Sequence, residues 1–247
     1  MTFYILYISD SLKLKMSDSD SKEEIESFFR EVWDVEARSV LEVEVMGKTY
    51  TFKQAYMDTN AIGSHVWESA VLFVEHYTHL LTSYNDIDLR ILELGSGIGF
   101  TGRILADQGL SLLCSDQASI LPLLEENLQG SAPCCTLDWS HPTPLPSVIE
   151  EFEPTVLLAC DCLYNPSLVP LFLQTVQVLF NTCSSIQSLL VVNRERSKLH
   201  QTFIQLFSEN HFRVEHIDTL HASSILPSIA NHKTNTHVYK ITKSICS

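Results

Sequence analysis

The sequence contains no cysteine pair spaced C-x-x-C and no H-E-x-x-H stretch, so the spacings that announce a zinc site are missing. Its ten histidines carry no metal reading by themselves. His76 and His79, three apart on a predicted helix, have no evident third ligand. Seven cysteines is an odd number, and Cys114, Cys160 and Cys162 lie inside apolar runs, where thiols behave as small core residues; buried thiols in a reducing compartment are expected rather than a disulfide framework. Basic side chains are scarce as well. Sixteen Lys and Arg stand against thirty Asp and Glu, a formal charge of −14. That field repels phosphate backbones and anionic lipid and attracts basic protein segments, so neither nucleic acid nor a membrane is expected as a direct partner. No run approaches the ~20 uninterrupted apolar residues that span a bilayer. The opening "MTFYILYISDSLKLKM" has only a short apolar patch with its lysines behind it, the reverse of a secretory signal. The expectation is a soluble, cytoplasmic, monomeric chain without a metal.

What is present suffices for one core: 45% of the 247 residues are hydrophobic. The stretch "MSDSDSKEEIE" reads as a solvated acidic segment. The expected organisation is a flexible lead over residues 1–21 and a single domain over 22–247, with a helix-and-hairpin extension (22–60) ahead of the core (61–247). Ile25, Phe28, Phe29 and Val32 or Trp33 recur at helical spacing between Lys22 and about Val35. "LEVEVMGKTYTFKQ" then alternates apolar and polar residues about a Gly-Lys turn, the pattern of a hairpin. In "HVWESAVLFVEHYTHLL" Trp67, Ala70, Val71, Val74, Tyr77 and Leu81 share one helical face, with Ser64 as candidate N-cap. Thereafter strands are expected near 90–94, 111–115, 134–137, 155–160 and 188–193. Helices are expected from about 100 and over 118–129, 167–180 and 197–209, and β-like runs at 212–217 and 236–242 close the chain. Such alternation implies parallel crossovers and an α/β, doubly wound sheet; the last two strands, with no helix between them, imply an antiparallel edge hairpin.

Glycine is used sparingly, yet "LELGSGIGF" places Gly95, Gly97 and Gly99 at alternate positions after the first strong strand. In open α/β sheets, ligands settle at the carboxyl ends of the strands where the order reverses, and glycines there let a ligand approach bare backbone. Gly97-x-Gly99-x-x-Gly102 also meets the dinucleotide fingerprint formally, which keeps a nicotinamide oxidoreductase as a remote alternative. Glu93 weighs against it. A pyrophosphate would come close to that carboxylate, whereas a ligand carrying a sulfonium and an ammonium is favoured by it. Asp116, one βα unit further on, can accept hydrogen bonds from both ribose hydroxyls or can serve as a helix N-cap.

These residues resemble the seven-stranded S-adenosylmethionine-dependent methyltransferases, and within them the non-histone protein-lysine methyltransferase family. The resemblance covers roughly residues 40–243. It rests on "HVWES", "LELGSGIGFTG", Asp116, "LDW" at 137–139 and "ACDCLY" at 159–164, the last matching an Asp/Glu-x-x-Tyr/Phe element. The resemblance implies a Rossmann-like sheet and S-adenosylmethionine as cofactor. It implies Glu93, Gly95 and Gly97 against the methionine portion, Asp116 on the ribose, and Asp138 and Trp139 beside the adenine, with Trp67 packed over the cofactor. Trp67 reads equally as a core anchor, and Asp138 as a capping residue. Asp161 and Tyr164 are implied as the catalytic pair. A carboxylate at 161 can hold an incoming ammonium or act as a base, or it is a polar strand end bonded to nearby amides; Tyr164 can wall the channel. The run "LDW…VLLACDCLYNPSLVPLFLQTVQVLF" with "VVNRERSKLHQTFIQLF" looks most like the branch that methylates translation elongation factor 2, so a protein substrate is implied. An arginine or small-molecule acceptor, and a cofactor-binding module without catalysis, stay open. "NRERSK" is read evenly as acceptor-pocket lining or as the start of a helix.

Overall fold

The computed structural model describes residues 38–55, 62–82, 84, 88–195, 199–220 and 235–244. The apolar patch at 1–15 and the helix expected over 22–35 lie outside the described residues. The chain divides into two units, Met1–Arg38 and Ser39–Ser247, and the elements described below start at Arg38.

Strands β1 (Arg38–Val45) and β2 (Lys48–Ala55) form the expected hairpin as a separate two-stranded sheet. Its turn is Met46-Gly47, one residue earlier than the Gly-Lys turn expected from the alternation. Both turn residues have positive φ, +52° and +75°, the geometry that matches strand twist in a two-residue hairpin. Met46 bears the unfavourable conformation because its side chain is exposed and has no packing to lose. Alternate residues Tyr50, Phe52 and Gln54 face inward.

The next helical segment comprises α1 (Glu68–Leu72), a π-helical turn over Phe73–Tyr77, and α2 (Thr78–Thr82). Ala70, Val71, Val74, Tyr77 and Leu81 are buried as their spacing predicts, but so are Leu72 and Phe73. Ser64 is not its N-cap. It ends a 3-10 turn (Ile62–Ser64), and its hydroxyl donates to the carbonyl of Ala55 at 2.5 Å; Trp67, extended at φ −108° and ψ 149°, holds the cap position.

The remaining elements alternate as expected. They are β3 (Arg90–Leu94), α3 (Phe100–Asp107), β4 (Ser111–Asp116), α4 (Leu121–Leu128), β5 (Cys134–Thr136), α5 (Ser147–Phe152), β6 (Val156–Cys160), α6 (Leu168–Thr182), β7 (Ser188–Arg194), α7 (Leu199–Glu209), β8 (Phe212–Leu220) and β9 (Thr236–Lys243). Helix α5 was not expected from the sequence; Ile149 is its one fully buried side chain, so it writes no apolar stripe. Asp116 does not cap the following helix, which starts at Leu121 with Pro122 in its first turn.

Among the described residues seven strands form one sheet in the order β5-β4-β3-β6-β7-β9-β8. The pairs from β5 to β7 are parallel, while β9 is antiparallel to both β7 and β8. This is the expected doubly wound architecture with an antiparallel edge. Strands β6 and β7 are buried at every position, as central parallel strands covered on both faces must be. Ile91 belongs to the apolar layer beneath Val71, Phe73 and Ile104, and Leu92 and Leu94 to the opposite layer with Phe172, Phe203 and Phe207. Each such side chain contributes about 1.5–3 kcal/mol of burial. The hairpin is fastened to this body by Asn127 of α4, which accepts the Lys53 amide at 2.8 Å and donates back to its carbonyl at 2.9 Å. The strand order reverses between β3 and β6, and their carboxyl ends open onto one crevice.

Candidate functional site

The loop from β3 to α3 is stitched to the end of β4. Ser96 donates its amide to the carbonyl of Ser115 at 2.9 Å, and the Ser115 amide donates to Ser96 Oγ at 3.1 Å. Gly97 donates its amide to Asp116 Oδ2 at 2.8 Å, and Gln117 donates to Asp116 Oδ1 at 2.7 Å. Gly97 sits at φ +55°, and a Cβ there would lie 3.0 Å from the carbonyl oxygen of Gly63, so both conformation and space call for glycine. Gly102 is required for a different reason. A Cβ on it would stand 2.3 Å from Cys114 Sγ and 3.0 Å from Glu93 Oε2, so it allows α3 to lie directly on β3 and β4. Gly102→Ala is therefore expected to destabilise the fold by about 1–3 kcal/mol, visible as a lower thermal midpoint. An unchanged midpoint would mean that the helix does not sit this close.

Glu93 is 2% exposed and lies beside Thr101, Ser96 and Cys114. Burial pushes its pKa up to about 7, against hydrogen bonds from those three neighbours that pull it down. The thiol of Cys114 points at Glu93 Oε2 from 3.6 Å. Glu93 lines a narrow cleft with His65, Trp67, Gly95, Gly97 and Thr101. His65 and Trp67 form one wall, their ring centroids 4.3 Å apart. Burial lowers the His65 pKa to about 4 despite the opposing pull of the Asp161 carboxylate, so this imidazole is neutral at physiological pH.

Asp161 lies one residue beyond β6 and is 4% exposed, with φ +58°. Its amide donates to the carbonyl of Val192 at 2.8 Å, and its Oδ1 faces the Arg194 amide at 3.4 Å. Bonding to a nearby amide, one reading of this residue, is thus present but long. Tyr164, three residues on, is half-buried. Trp139 packs edge-on against Phe172, centroids 5.0 Å apart, and its ring lies 3.4 Å from where a Gly95 Cβ would stand. Asp138 is exposed. Its Oδ1 accepts the Ser140 amide at 2.8 Å, a turn-forming bond that lowers its pKa.

Trp67, Glu93, Gly95 and Gly97 thus share the cleft, Asp116 is bonded to its glycine loop, and Trp139 backs Gly95. Asp161 reaches it electrostatically through His65. Asp138 and Tyr164 are not in its lining. His65 was not singled out by the sequence, where its only signal was its place in "HVWES". "NRERSK" proves to start in a strand: Asn193 and Arg194 end β7. Six cysteines of the described residues are free, and Cys162 sits under Gly95, donating its thiol to the Leu94 carbonyl at 3.0 Å. Among the described residues no group of three His, Cys, Asp or Glu could hold a metal, and no helix is long and apolar enough to cross a membrane.

Seven strands in this order, with a glycine loop at the reversal and an antiparallel edge, define a Rossmann-like methyltransferase fold. The chain belongs to the family described as lysine methyltransferase, which matches residues 47–210. It is an S-adenosylmethionine-dependent methyltransferase. Mouse EEF1A lysine methyltransferase 3 is 21% identical over 179 residues, 68% of this chain and 72% of that protein. Similar solved structures include an S-adenosylmethionine-dependent methyltransferase from Agrobacterium tumefaciens, at 12% identity and TM-score 0.49 over 86% of this chain and 73% of that one. Another is a Pyrococcus abyssi tRNA (uracil-54, C5)-methyltransferase, at 12% identity and TM-score 0.49 over 83% of this chain and 44% of that one.

Proposed function

We propose that this methyltransferase transfers its methyl group to a lysine side chain of a non-histone protein, with a translation elongation factor as acceptor. The observation that carries the reading is a pair of buried carboxylates, Glu93 and Asp161, 2% and 4% exposed at the ends of neighbouring strands on either side of the strand-order reversal. Two such groups, one lining the cleft and one beyond the neighbouring strand, suit a cationic cofactor and a cationic acceptor. The −14 charge of the chain favours a basic protein segment over a nucleic acid.

Bound S-adenosylmethionine supplies an electrophilic methyl group on a sulfonium. The residues fit it: Glu93 lines the cleft with a buried carboxylate that would attract the cationic end, and Gly95 and Gly97 would offer backbone without Cβ contacts. Asp116, with one amide bonded to each oxygen, keeps lone pairs for two ribose hydroxyls. Trp67 would close the cleft from the α1 side, and Asp138 and Trp139 would flank the adenine. Asp161 receives and orients the lysine amine, with Tyr164 walling its channel. Withdrawal from water favours the neutral amine, and in-line positioning supplies most of the rate without a covalent intermediate.

Glu93 makes the cofactor site pH-dependent. Its ionised fraction rises as pH rises through about 7, and only the ionised form attracts a cation. Affinity for S-adenosylmethionine, measured by calorimetry, is expected to strengthen about 10-fold from pH 6 to pH 8 and to lose that slope in Glu93→Gln. An equal slope in both proteins would remove Glu93 from this role.

Elongation factor 2 is the acceptor favoured by the motif run between residues 137 and 207, and EEF1A the one favoured by the mouse relative. Both purified factors, incubated separately with the enzyme and labelled S-adenosylmethionine, decide between them. Methyl-lysine on one names it; label on neither removes both.

A further inference from the structure

We infer that Asn193 is a positioning residue for methyl transfer, holding the loop that carries Asp161 and Tyr164; the inference rests on the roles proposed for that pair. Asn193 is the penultimate residue of β7 and is 7% exposed. Its Oδ1 accepts the Leu163 amide at 2.8 Å. Its Nδ2 donates to the carbonyls of Leu163 at 3.0 Å and Arg194 at 2.9 Å. A side-chain amide has two donor hydrogens and one acceptor oxygen, and here all three are spent on backbone.

The pairing explains how the loop keeps its shape. The ladder between β6 and β7 runs one residue past the end of β6, where the Asp161 amide still donates to Val192. There the chain turns into the left-handed region, at φ +58°, a conformation that non-glycine residues hold only when their surroundings enforce it. Beyond that turn the backbone of Leu163 pairs with no strand among the described residues. The Asn193 amide takes the place of a strand, pairing with both the N–H and the C=O of Leu163. Leu163 lies between Asp161 and Tyr164, and its side chain is buried, 2% exposed. Both members of the pair are therefore set from β7, thirty residues away in sequence. The proposed cofactor residues Glu93, Gly97 and Asp116 belong to β3, the loop after it and β4, and none bonds to Asn193; the clamped loop meets that side through Cys162, whose thiol donates to the Leu94 carbonyl beneath Gly95.

Loss of the clamp should therefore lower the rate while leaving cofactor binding intact, which a merely structural role would not do. The test compares wild type, Asn193→Ala and Asn193→Ser in three measurements. These are affinity for S-adenosylhomocysteine by calorimetry, hydrogen exchange of the 161–164 amides, and the single-turnover rate of methyl transfer into a cell extract lacking the endogenous activity. Asn193→Ala is expected to lose about 100-fold in rate, the effect of displacing a positioning group by ~1 Å, with affinity kept within about 3-fold and faster exchange over 161–164. Asn193→Ser, which keeps one hydroxyl near the loop, is expected to fall between, and it carries the comparison if Asn193→Ala does not fold. A wild-type rate in the variants overturns the inference, as does a loss of affinity in step with the rate. A wild type that labels no protein overturns the acceptor reading itself, and the inference with it; label by wild type and variants alike overturns the inference alone.

Discussion

Asp116→Ala is expected to weaken S-adenosylmethionine binding by about 100-fold or more, because the change removes two things at once. Asp116 ends β4 and accepts the Gly97 amide at 2.8 Å, so its carboxylate fixes the glycine loop from the neighbouring strand. The same carboxylate is the proposed partner of the ribose hydroxyls. Hydrogen bonds to a charged group contribute about 1.5–3 kcal/mol each, so losing two of them corresponds to a roughly 100-fold to 10,000-fold change. Asp116→Asn keeps an acceptor for Gly97 and is expected to lose less. Calorimetry with S-adenosylmethionine on both variants checks this; an alanine variant binding within 3-fold of wild type would displace Asp116 from the ribose.

The second large effect is at Asp161, and the choice of substitution matters. Asp161 holds φ +58°, which Asp and Asn tolerate better than other side chains with a Cβ. Asp161→Asn therefore removes the charge and preserves the backbone, whereas Asp161→Ala adds roughly 1–2 kcal/mol of conformational strain. The asparagine variant is expected to bind the cofactor within about 3-fold of wild type and to turn over about 100-fold to 1,000-fold more slowly, the scale of losing an oriented acceptor. Equal turnover would show that the carboxylate does not meet the amine. A rise in KM for the protein substrate with kcat unchanged would assign Asp161 to docking rather than to orientation in the transition state.

Much of this fold could be read along the chain because its signals are local. The apolar runs of β3, β6 and β7, the helical spacing of α6 and α7, and two closing β-like runs without a helical sequence pattern between them pointed to a doubly wound sheet with an antiparallel edge. That residues of one cleft lie together was legible where a single strand and loop carry them, as with Gly95 and Gly97 beside Glu93. Failures fell where a distant partner decides the outcome. Ser64 carries the right chemistry for an N-cap, but its hydroxyl is taken by Ala55. The π-helical turn at Phe73–Tyr77 lies in a segment buried on more than one face, which an amphipathic pattern does not encode. The hairpin turn shifted by one residue because strand twist, not the Gly-Lys pair, selects its type. Asn193 lay in a stretch read either as pocket lining or as a helix start, since nothing nearby in sequence reveals its bonds to Leu163.

The most direct measurement is transfer of labelled methyl from S-adenosylmethionine into a cell extract lacking the endogenous activity, with Asp116→Ala and Asp161→Asn run beside wild type and the labelled band hydrolysed to its amino acids. One protein band carrying methyl-lysine, absent with both variants, is the result expected. Label that appears in no protein although the wild type binds the cofactor, or that is recovered as methyl-arginine, would contradict the assignment of a lysine acceptor.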